Sequence, residues 1–121
     1  MVSLPPLGDG SQRNQNTKNM KKIIDKILFN TETAEEIHVE SSLLPTDNHY
    51  LCETLYRTKN GALFLHGEGG CFSRYSETEG NACYPGEAII PMSEDEAYDW
   101  LESVNAVKAI EIHFSDYVTE A

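Results

Sequence analysis

The chain lacks the close ligand pairs that metal sites are built from: none of CxxC, HxxxH or CxH occurs among its three cysteines and four histidines. Structural zinc takes four ligands, usually in close pairs, so no metal and no cofactor is expected. Apolar runs long enough to span a bilayer are missing, as is a secretory apolar stretch near the first residue. No membrane partner is therefore expected. The glycines of Gly67-Glu68-Gly69-Gly70 do not make a nucleotide loop. They lack the phosphate-loop spacing and its GKS or GKT ending, and Glu68 in their middle repels phosphate. Basic residues are few, 9 against 20 acidic, for a net charge of -11. The chain's own field repels a phosphate backbone, so binding to naked nucleic acid is not expected. Cys52, Cys71 and Cys83 are an odd number. They are expected to be reduced thiols of a cytosolic protein and not a disulfide framework.

What is present suits a single modest core: 121 residues, 40% hydrophobic and 24% charged. The acid is uneven. Residues 30–53 hold Glu32, Glu35, Glu36, Glu40, Asp47 and Glu53 with no lysine or arginine, and residues 93–121 hold eight carboxylates against Lys108 alone. These regions flank a more balanced segment carrying Arg57, Lys59 and Arg74. Such a distribution serves solubility, and it also steers the chain toward a basic protein surface, including a groove built to hold nucleic acid.

Residues 1–19 are rich in Pro, Gly, Asn and Gln without apolar periodicity. They are expected to be a disordered extension, either an upstream remnant or a mobile native arm. The folded domain is expected over 20–121. Apolar residues dominate 22–29, read as a strand. In 36–40 the alternation places Ile37 and Val39 on one side of a half-buried strand. Loop follows to His49, with Pro45 and Asp47-Asn48 as turn chemistry. Strands are expected at 50–58 and 62–66 around Asn60-Gly61, both of which tolerate positive φ. Residues 67–86 form a long polar loop punctuated by glycine, and 87–92 a further strand. Ser93 with Glu96 three residues on is a capping box. Ala97, Trp100, Leu101 and Val104 then lay one apolar stripe on the sheet. The tail, through Val107, Ile110, Phe114 and Val118, is read as helical, although Ile110, Ile112 and Phe114 also fit a strand. The fold class is α+β: a small antiparallel sheet of four or five strands with C-terminal helix or helices packed on one face.

Two catalytic patterns are conceivable in His66-Gly67-Glu68-Gly69-Gly70-Cys71. A Cys71 thiolate beside His66 and a glycine backbone resembles a nucleophile with an oxyanion hole. His66 with Glu68 resembles the acid–base pair of a ribonuclease. Neither carries a recognised spacing; His66 also serves simply as a strand end and the glycines as a turn. Trp100 on its stripe reads as core, and Tyr56 and Phe64 read as packed. Phe72, Tyr75 and Tyr84 lie in the loop beside Arg74 and Asn81, where they either anchor a partner or fold back over the hairpin.

Several segments taken in order carry a resemblance: NTETAEEI at 30–37, ETLYRTKNGALFLHGEGG at 53–70, Ser73-x-Tyr75, Gly80-Asn81, IIPMSEDEA at 89–97, and Trp100. Together they resemble a family of small bacterial proteins carried on phages, plasmids and integrative elements of Firmicutes and relatives. Some similar proteins inhibit Cas9, as type II anti-CRISPRs. The resemblance implies a protein of the bacterial host cytoplasm whose partner is a Cas9-type effector, alone or guide-bound. It implies a block on guide RNA or DNA loading, with carboxylates meeting the basic channel that holds a heteroduplex. The residues expected to bind the partner are Glu68, Arg74, Tyr75, Glu77, Glu79 and Asn81. The alternatives are a small ribonuclease trimming guide RNA with His66 and Glu68, or a mobile-element module with no Cas partner.

Overall fold

In the computed structural model, which describes residues 20–42, 44 and 46–121, strands precede helices. They are β1 (Lys21–Ile24), β2 (Ile27–Asn30), β3 (Glu35–Ser42), β4 (Leu51–Arg57), β5 (Leu63–Gly69), β6 (Glu77–Glu79), β7 (Ala82–Tyr84), β8 (Gly86–Met92), α1 (Glu94–Ser103) and α2 (Val107–His113), followed by a 3-10 turn at Ser115–Tyr117. The main sheet is antiparallel in the order β3-β4-β5-β8, and β1–β2 and β6–β7 are separate two-stranded hairpins. The fold is α+β, with the helices following the strands, as the sequence leads one to expect. The extension anticipated over 1–19 and the turn role of Pro45 fall outside the described residues.

The Asn-Gly signal builds the centre of the sheet. Gly61 sits at φ +92, and Thr58 N–H donates to the Ala62 carbonyl at 2.8 Å. Pairing then runs from Arg57↔Leu63 to Leu51↔Gly69. Because side chains alternate, Leu55, Leu63 and Leu65 turn to one face, where Ala97, Leu101, Ala106, Ala109, Ile110 and Phe114 cover them. On the other face Phe64 is fully buried under Phe29, edge-on at 5.4 Å, with Tyr56 stacked beside it at 5.1 Å.

Both ends of α1 follow from local chemistry. Ser93 Oγ accepts from Glu96 N–H at 3.1 Å and Ser93 N–H donates to Glu96 Oε1 at 2.9 Å, the reciprocal box. At the other end Asn105 takes φ +57, and Ala106 N–H reaches the Leu101 carbonyl at 2.9 Å while Asn105 N–H reaches that of Glu102 at 3.0 Å. That is a Schellman closure with asparagine at the left-handed position, and it turns the chain into α2.

Four local expectations are corrected. Residues 22–29 are not one strand: Asp25 and Lys26 both adopt positive φ (53 and 69) and fold the segment into the β1–β2 hairpin. A two-residue turn with both residues at positive φ matches strand twist, and it overrides the apolar run. Ile37 and Val39 do not share a side, because the register shifts between Glu36 and His38. This bulge sends Ile37 to the helix-side core and leaves Val39 exposed opposite Thr54. The stretch 67–86 is not wholly loop: β5 continues to Gly69, and β6 and β7 pair across Gly80, which sits at φ +64. Helix in the tail holds over 107–113, but Val118 is extended and exposed.

Candidate functional site

Strand alternation delivers Glu53 to the helix side of the sheet, where it is buried. Three donors converge on it: Tyr75 Oη to Oε2 at 2.7 Å, Trp100 Nε1 to Oε1 at 3.1 Å, and Arg74 Nη1 to Oε2 at 3.3 Å. The Tyr75 hydroxyl is held protonated well above the ordinary tyrosine range, by burial first and then by the bond to Glu53. A Cβ at Gly67 would sit inside the Tyr75 ring, so only glycine lets the ring lie on β5. One buried carboxylate thus ties the sheet, α1 and the segment 70–76 together.

The same segment is laced to the chain before β4. Gly70 N–H donates to the Tyr50 carbonyl at 2.9 Å and Phe72 N–H to that of Asn48 at 2.7 Å. Ser73 Oγ donates to the Gly70 carbonyl at 2.8 Å and accepts from Tyr75 N–H at 3.2 Å. Beyond it the β6–β7 hairpin projects. Cys71 and Cys83 form a disulfide, with Cα atoms 5.5 Å apart, that clasps the hairpin to the start of the segment. This corrects the expectation of three reduced thiols, since the fold brings the 70s turn alongside β7. It also removes the Cys71 nucleophile. Cys52 remains free, and burial pushes its thiol up, away from thiolate.

The residues anticipated for partner binding separate. Tyr75 is 8% exposed and, with Arg74, is engaged by Glu53. Glu68 and Glu77 line one cleft of about 320 Å³, together with Asp47, Tyr50 and Glu87. Glu79 and Asn81 stand exposed at the hairpin tip. Sequence patterning left open which loop aromatics face outward, and the structure answers: Phe72 is 61% and Tyr84 48% exposed. Phe72 lies against His49, ring centroids 5.1 Å apart, and Tyr84 pairs across from Glu77. His49 was missed, and the only cue to it was its place in a polar turn.

The other face of β5 carries His66 and Glu68. His66 Nε2 lies 2.8 Å from Glu87 Oε1, and the imidazole is buried. Its hydrogen-bond partner is thus Glu87 on β8, where the ribonuclease reading paired it with Glu68. Among the described residues no group of three or more His, Cys, Asp or Glu is arranged to hold a metal ion. No helix among them is long and apolar enough to cross a membrane. Set against protein-family models, characterised proteins and solved structures, the chain matches none.

Proposed function

We propose that this protein is a binding inhibitor that docks on the basic nucleic-acid channel of a Cas9-type effector and blocks loading of guide RNA or DNA. The observation that supports it is the clasped hairpin: exposed Phe72 and Tyr84 rise among Glu77 and Glu79 on a chain of net charge -11. Aromatic anchors within carboxylates are what a surface rich in arginine and lysine recognises. The partner class rests on the family resemblance and on this charge. Buried His66, already bound to Glu87, favours binding over turnover, because an acid–base residue must reach its substrate.

The test is co-migration of the purified protein with Cas9, with and without guide, while the guide ends are sequenced. A stoichiometric complex with intact guide is expected. Charge reversal by Glu77→Lys with Glu79→Lys and Glu68→Lys is expected to abolish inhibition with the circular dichroism unchanged. Full inhibition by that variant overturns the electrostatic docking. Shortened guide at substoichiometric protein replaces it with the nuclease, and no complex with any Cas9 leaves a module with another partner.

A further inference from the structure

The β1–β2 hairpin reverses the charge of the rest of the chain. It carries Lys21, Lys22 and Lys26 against Asp25 alone. Its inner side seats Phe29 and Ile24 against Phe64 and Ile89. Register then puts the Ile23↔Leu28 pair on the outer side, where the two are 70% and 52% exposed. Two large apolar side chains paired across strands and rimmed by lysine make a surface looking for a cover.

The opposite side of the molecule offers one. Between α1, α2 and the C-terminal tail runs a groove of about 480 Å³ whose apolar lining includes Val107, Ile110 and Val118 and whose rim includes Glu102, Glu111 and Glu120. Val107 and Val118 are exposed, and Lys108 is the one lysine in α2, which ends at His113. Apolar centre meets apolar centre, and Lys21, on the same face as Ile23, and Lys26 in the turn meet the glutamates of the rim, while Lys22 lies opposite Phe29 on the inner side. We infer that the β1–β2 hairpin of one copy docks in the α1–α2 groove of a second copy. The two surfaces lie on opposite faces of the sheet, since Phe64 faces the hairpin and Leu65 the helices. The association is head-to-tail, and each copy has a free hairpin or groove for the next.

A net charge of -11 on each copy opposes this at a distance. At about 0.15 M salt the screening length is about 8 Å, so contact charges decide the outcome. The β1–β2 hairpin lies away from the β6–β7 hairpin, which is at the Gly69 end of β5 while Phe64 is at its start, and the charge reversals that test the two readings fall on different residues. The inference therefore stands or falls apart from the proposed function.

Sedimentation at about 0.15 M salt tests it, over about 1 µM to about 500 µM, a span reaching the weak end of specific association. The wild-type mass is expected to rise past that of a dimer. Lys21→Glu with Lys26→Glu, and separately Glu102→Lys with Glu111→Lys, are each expected to stay monomeric, with native circular dichroism because all four positions are exposed. Mixed one to one, the two variants are expected to associate, since each reversed surface then meets an opposite charge. A wild type that stays monomeric throughout, variants that associate as it does, or a mixture that stays monomeric overturns the inference and leaves the hairpin to another occupant.

Discussion

Replacing Glu53 by alanine is expected to be among the most damaging single truncations outside the apolar core. Glu53 is 5% exposed and accepts from Tyr75, Trp100 and Arg74. Hydrogen bonds to a charged acceptor are worth about 1.5–3 kcal/mol each, and unpaired buried donors cost on the same scale. Two of the three donors, the Tyr75 hydroxyl and the Trp100 indole N–H, are buried or half-buried. The Arg74 side chain is 65% exposed, so water takes over its pairing and the loss there is below about 1 kcal/mol. The sum is about 3–7 kcal/mol, a large part of the about 5–15 kcal/mol that holds such a domain folded. Urea unfolding followed by circular dichroism measures it. The fluorescence of Trp100, the sole tryptophan, gives a local reading of the same site. Glu53→Gln keeps one acceptor oxygen and is expected to fall between wild type and alanine. An alanine variant within about 1 kcal/mol of wild type would mean that the three donors find water instead, and the hub would not hold the fold.

Two further outcomes follow from the same geometry. Cys71→Ser with Cys83→Ser opens a bridge spanning 12 residues; the expected loss is about 2–3 kcal/mol from released loop entropy. Limited proteolysis should then cut first between 71 and 84, and a cleavage rate equal to wild type counts against the clasp. Stability is also expected to fall in alkali. Tyr50 is pushed up to about 12, by burial first and then by Cys52 and Glu68, and Tyr75 is raised as well. The folded chain therefore keeps protons that unfolded tyrosines release near 10. The stabilisation is complete below about pH 10 and drains away from there toward about pH 12. Unfolding free energies that stay level across that window contradict it, and Tyr75→Phe should flatten part of the slope.

The sheet centre and α1 were legible because their signals are local and strong. Asn60-Gly61 fixes a turn, and Ser93 with Glu96 fixes a helix start, whatever the rest of the chain does. The failures share one cause: tertiary context chose among local options. Asp25-Lys26 is a weak turn signal, since neither residue is glycine, and it forms a hairpin because Phe29 gains Phe64 and Ile89 beneath it. The bulge at Ile37 leaves the alternation of 36–40 intact in sequence while splitting its faces in space. The Cys71–Cys83 bridge depends on β6–β7 pairing that three-residue strands do not announce. For the site, residue type was legible but direction was not. Glu77, Glu79 and Asn81 are exposed, whereas Tyr75 turns inward because a glycine at 67 leaves room for its ring.

That inward turn bears on how a partner would be met. Strands of three residues are too short to stay paired in water unaided. Yet the hairpin is held by the Cys71–Cys83 bridge, by Gly70 and Phe72 bonded to 48–50, and by Tyr75 bonded to Glu53. Phe72 and Tyr84 are therefore presented in one arrangement before any encounter. Ordering a rotamer-rich side chain at an interface costs about 0.5–1.5 kcal/mol, and a flexible loop adds its backbone cost to that. In the proposed docking, buried Glu53 and Tyr75 lower those costs from beneath the surface. A substitution in the hub is thus expected to weaken binding mainly through the order of the hairpin, and one at Phe72 or Tyr84 through contact itself. Only the second kind leaves the melting curve in place.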